Sequence, residues 1–104
     1  MNRNKLLDQA QRAIERQQYE RAVRAYRTLL SGDPHDLKLA LKLAELYLRV
    51  KDHPSALRLY HHIAQRYYTD NNRVKYRSVY QLIIKINPRD LKARVALFKL
   101  AVKE

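Results

Sequence analysis

Glu20 to Pro34 read E-R-A-V-R-A-Y-R-T-L-L-S-G-D-P. Ala22, Tyr26 and Leu29 share one side of a helix, and Gly32-Asp33-Pro34 stops it. The same order returns 34 positions on as Ala56, Tyr60 and Ile63. Upstream, Ala10 pairs with Ala44 and Ala13 with Tyr47 at that offset. A fixed offset of this size marks stacked helical hairpins, none of which can bury its apolar face alone.

Working outward, apolar periodicity and turn signals predict six helices. The first covers about residues 3–16, with Leu6, Leu7, Ala10, Ala13 and Ile14 in one stripe. The second covers about residues 19–30, and Gly32 is expected in the left-handed conformation that closes a helix. The third covers about residues 37–50, with Leu37, Ala40, Leu41, Ala44, Tyr47 and Leu48 inward and Asp36 as its cap. The fourth covers about residues 53–68, with Asp52 as its cap and Ala56, Tyr60, Ile63, Ala64 and Tyr67 inward. The fifth covers about residues 73–86, with Tyr76, Val79, Tyr80 and Ile83 inward, and the sixth about residues 90–103.

The third register slips. Ala64-x-x-Tyr67 repeats Ala44-x-x-Tyr47 only 20 positions later, and Asp90-Leu91-Lys92 follows Asp36-Leu37-Lys38 by 54, which is 34 plus 20. One helix of about 14 residues is therefore missing from a regular array. The reading adopted is one domain in which helix four serves twice. Repeat one covers about residues 3–36, repeat two about 37–70, a degenerate third about 57–88, and a terminal helix about 90–103.

Composition excludes several classes. Cysteine is absent, so no disulfide frame or thiolate chemistry is available. No Gly-rich phosphate loop is present, and the ten acids are scattered, so no enzyme is expected. Of His35, His53, His61 and His62, the adjacent His61 and His62 point about 100° apart on a helix and have no Asp, Glu or His at i+3 or i+4, so no metal or other cofactor is expected. No stretch reaches the length of a membrane span and no signal peptide is visible, which predicts a soluble cytoplasmic protein.

The net charge is +12, from 22 Lys and Arg against 10 Asp and Glu. Residues 73–104 hold nine bases and two acids, or +7 of that total. One reading is a solvated face that keeps the chain soluble. Another is a surface for acidic protein. A third is sequence-independent RNA or DNA binding through Arg73, Arg77, Lys85, Lys92 and Lys99. The bases form no dense run, and most of the eight tyrosines stand at packing positions, which sets nucleic acid behind protein. Tyr76 stands where Ala22 and Ala56 stand, so its ring demands extra room beside helix four.

The Ala-Tyr-Leu-Pro pattern and its spacing resemble the tetratricopeptide repeat family. The resemblance implies an all-α, right-handed superhelical stack of antiparallel helix pairs. It also implies a non-enzymatic adaptor whose first helices line a concave groove for a partner's peptide segment. Mapped onto this chain, the groove positions include Gln11, Lys38, Lys42, Glu45 and Arg49. Arg58, His62 and Tyr68 join them if helix four acts as an inner helix. One family variant clamps chaperone-tail carboxylates with Lys and Asn residues. Here Leu7, Gln11, Lys42, Arg58 and His62 stand at those places, so that ligand is not implied. What remains is a basic floor of Lys38, Lys42 and Arg58, suited to an acidic protein segment. The remaining alternative is a module whose main partner is a copy of itself or a longer parent chain: helix six, apolar at Leu91, Val95, Phe98 and Val102, resembles the first helix of a further repeat, either a terminal cap or the cut end of a larger array.

Overall fold

The computed structural model describes residues 2–103. They form six helices: α1 (Arg3–Glu15), α2 (Tyr19–Gly32), α3 (Leu37–Arg49), α4 (His53–Thr69), α5 (Arg73–Ile86) and α6 (Leu91–Lys103). No strand occurs among the described residues. The architecture is an all-α helical repeat.

The chain divides into two compact units at Ala56/Leu57. In the first unit, the three residues between α1 and α2 allow only an antiparallel hairpin, and α3 packs on α2. Its core is built on Ala10, Ala13, Ala22, Val23, Tyr26 and Leu29, all buried. In the second unit α5 packs on α6, and Tyr60, Ile63, Tyr80 and Ile83 are the largest fully buried side chains. The stripe expected of α4 is buried at every position, from Ala56 to Tyr67.

α3 departs from expectation. Leu39, Ala40, Leu43, Ala44 and Leu46 are its buried residues, whereas Leu37, Leu41, Tyr47 and Leu48 are only half-buried. Its sequence carries leucine on nearly every side, so periodicity left two arcs equally eligible. Tyr19 is half-buried, with the Arg49 guanidinium 5.3 Å above its ring.

Helix ends come in two kinds. α1, α3 and α4 each close on a residue with positive φ: Gln17 at 58°, Lys51 at 64° and Asn71 at 58°. At each end the next amide reaches back to close a Schellman turn. Gln18 N–H donates to Ala13 O (2.8 Å), Asp52 to Tyr47 O (2.8 Å) and Asn72 to Tyr67 O (2.9 Å). α2 and α5 stop instead at a non-helical residue of negative φ before proline, Asp33 (φ −147°) and Asn87 (φ −135°). Proline sterically expels the preceding residue from the helical region, so no left-handed closure is needed. Gly32 therefore does not adopt the expected positive φ; it is the last helical residue of α2.

Candidate functional site

Five side chains of the second unit form a continuous path from surface to interior. Tyr68, near the end of α4, is 62% exposed, and its ring centroid lies 5.5 Å from that of Tyr76. Tyr76 meets Tyr80 edge to face at 4.9 Å, and Tyr80 meets His61 at 5.8 Å. His61 Nε2 lies 2.7 Å from Asp90 Oδ2. Asp90 Oδ1 accepts from Ala93 N–H at 3.0 Å and so caps α6. Burial pushes the Asp90 carboxyl up, but the Ala93 amide and His61 outweigh it and hold the group below the usual carboxylate range. Burial, with help from Tyr76, raises the Tyr80 phenol to about 12, so it stays a neutral donor at any physiological pH. His61 Nδ1 is buried without a hydrogen-bond partner, which suits a ring that donates through Nε2 and leaves Nδ1 bare.

A matching acid occurs in the first unit. Asp36 Oδ1 accepts from Lys38 N–H (3.0 Å) and Leu39 N–H (3.2 Å), capping α3, while Oδ2 takes Arg3 Nη2 at 3.0 Å. The Leu39 amide, then Arg3 and the Lys38 amide, lower its carboxyl against a smaller opposing effect of burial. Sequence reading found the Asp36 cap but not its Arg3 partner, nor the His61–Asp90 pair. The partners stand 33 and 29 residues apart, beyond any local pattern.

The exposed mouth of the tyrosine path opens into a cleft of about 890 Å³. The end of α4, the α4–α5 turn, the start of α5 and the outer half of α6 enclose it. Its cations are Arg73, Lys99 and Lys103, its rings Tyr67, Tyr68 and Tyr76, and its neutral polar groups include Gln65, Asn71 and Asn72. No Asp or Glu is among the described residues that line it. Tyr76, with a ring where Ala22 and Ala56 have a methyl, forms part of its wall. The cleft is in the size range of ligand sites, and its basic, aromatic lining suits anionic and aromatic groups together.

The residues singled out from sequence divide between the units. On α1 Gln11 is exposed. On α3 Lys38 and Arg49 are exposed, and Lys42 is drawn toward Glu45 at 3.9 Å. On α4 Arg58, His62 and Tyr68 are exposed, and only Tyr68 of the three lines the cleft. Of the five cations assigned to the C-terminal helices, Arg73 and Lys99 line it, while Arg77, Lys85 and Lys92 do not. Lys103, the next cation along α6 after Lys92 and Lys99, lines it as well. Among the described residues no three His, Asp or Glu side chains stand close enough to hold a metal, and no helix is long and apolar enough to cross a membrane.

No curated protein sequence matches the chain. Among solved structures it is similar to the MamA protein, with a TM-score of 0.51 and 17% identity over 91% of this chain and 60% of that one. The likeness concerns the fold, and the chain spans less than two thirds of MamA's length. A tetratricopeptide repeat family model matches residues 13–76, more than half of the chain. Repeats of this kind generally mediate protein–protein interaction, and the Ala-Tyr-Leu-Pro pattern, the 34-residue offset and the all-helical architecture agree with the match. The chain belongs to the tetratricopeptide repeat family.

Proposed function

We propose that this chain is a non-enzymatic adaptor that captures an acidic segment of a partner protein. The observation that carries the reading is the cleft of the second unit, which gathers Arg73, Lys99 and Lys103 beside exposed Tyr68 with no carboxylate among its described lining residues. An isolated cation on a helical surface is ordinarily solvated or paired with a neighbouring acid. Three of them around one concavity leave the balancing charge to a ligand. The Tyr68 and Tyr76 rings offer a place for an aromatic or aliphatic side chain, and Asn71, Asn72 and Gln65 can hydrogen-bond an extended backbone. The preferred segment therefore carries carboxylates around one bulky apolar residue.

Lys38 and Lys42 on α3 belong to the same reading as a further basic patch, weakened by the lean of Lys42 toward Glu45. The decisive experiment measures binding of a fluorescent Glu-rich peptide containing one Phe. Arg73→Glu with Lys103→Glu should reduce affinity by about tenfold or more while helical content and melting stay unchanged. Reversing Lys42 and Arg58 to Glu should weaken capture to a smaller degree, since each exposed charge contributes about 1 kcal/mol or less. Undiminished binding by the Arg73/Lys103 variant would end the cleft hypothesis. Duplex DNA serves as the rival ligand. If it binds tightly at physiological salt, with a log–log salt slope near −0.9 per neutralised phosphate, the nucleic-acid reading takes precedence.

A further inference from the structure

α6 has two apolar faces. Ala93, Ala96 and Leu100 are buried on one side. On the opposite side Leu91, Val95, Phe98 and Val102 are 73%, 42%, 70% and 68% exposed. Their steps of four, three and four are the a/d spacing of a helical seam, with Leu91 and Phe98 at d and Val95 and Val102 at a. A scattered apolar residue on a surface needs no explanation, but an aligned seam of four large ones does.

The register of the repeats shows what kind of neighbour such a face takes. Subtracting 88 carries the seam onto Arg3, Leu7, Ala10 and Ile14 of α1, and Ala10 is fully buried where α1 packs on α2. The seam of α6 is thus the face with which a first helix holds the second helix of its own hairpin. Phe98 stands where α1 has Ala10 and α3 has Ala44, so the neighbour must present a small residue to its ring.

The flanks choose among occupants. Lys92 and Lys99 occupy e positions and Arg94 a g position, and α6 contains no acid from Leu91 to Lys103. Two copies paired through this seam would set Lys against Arg in a parallel arrangement and Lys against Lys in an antiparallel one. A helix with acidic flanks meets attraction in either direction. We infer that the outer face of α6 is a docking surface for an amphipathic, acid-flanked helix of a partner protein. This surface adjoins the cleft and shares Lys99 with it, but its apolar seam lies outside, since Lys92, Val95 and Phe98 do not line the cleft.

The test uses a designed peptide of about three heptads with Leu at a and d, save one central Ala to face Phe98, and Glu at e and g, and a twin with Lys at e and g. Fluorescence anisotropy with the full chain should show the Glu peptide bound and the Lys twin at least about tenfold weaker. Val95→Ser with Phe98→Ser should weaken the Glu peptide about tenfold or more, because the seam is the contact, and leave binding to the cleft unaltered. Should the serine variant fold poorly, Lys92→Glu alone still decides. It must lower affinity for the Glu peptide and raise it for the twin. Equal binding of both peptides, or insensitivity to these changes, overturns the inference. So does sedimentation that shows self-association of the chain, abolished by the serine changes, with no peptide bound, because the occupant is then a second copy.

Discussion

Gly32 and Ala56 differ in what their backbone and surroundings allow. Gly32 has a helical φ, and a Cβ there would meet nothing within 4 Å. Gly32→Ala should therefore stabilise the chain by about 0.5–1 kcal/mol, chiefly by restricting the unfolded state, as chemical denaturation would show. A loss of stability would indicate that the residue uses its left-handed freedom after all. Ala56 has no accessible surface, and Ala56→Leu should cost roughly 1–3 kcal/mol through overpacking. The small and aromatic residues that set the core, such as Ala22, Tyr26, Tyr60 and Ile63, were legible in sequence because repetition marks them twice. Leu39, Leu43 and Leu46 were not, because a helix with leucine on all sides has no single preferred arc. The left-handed closure went to Gln17, Lys51 and Asn71 because no proline follows to stop those helices.

Whole helices are fixed at their ends as much as along their faces. α3 and α6 start on Asp36 and Asp90, each capping its own first turn and each tied to an earlier helix, by Arg3 and by His61 respectively. Both carboxyls are held below their ordinary value in the fold and return to about 3.9 when the chain unfolds. The unfolded state thus binds more protons as acid is added. The stabilisation is complete above the ordinary carboxylate range and is lost as pH falls below about 4 through the folded values. Asp36→Asn with Asp90→Asn keeps a cap acceptor at both sites, so urea unfolding should show a flatter acid limb than the parent. An unchanged limb would mean other acids dominate. α4 starts beside the Schellman amide of Asp52, as α2 starts beside Gln18, and it ends on Asn71 as α1 ends on Gln17. That pair of ends favours the proposal that α4 closes one repeat and opens the next.

Across the whole molecule the +12 charge sets a tension between stability and capture. Screening by salt relieves self-repulsion and weakens attraction for an acidic ligand at once. Raising ionic strength from about 50 to about 500 mM should raise the melting temperature slightly while it weakens an acidic peptide several-fold. Salt-independent binding would place the contact energy in the tyrosines instead. The cations of the cleft could be counted from sequence, but their meeting could not. It depends on α6 returning beside the end of α4, a tertiary event that no local spacing encodes. The three left-handed residues have a consequence for heat. A side chain in that conformation costs about 1 kcal/mol over glycine, somewhat less for asparagine. Gln17→Gly and Lys51→Gly should each raise the midpoint of thermal unfolding by about 4–8 °C if the gain reaches that full amount, and Asn71→Gly by less. The turns that give the chain its repeats are thus also its reserve of thermal tolerance.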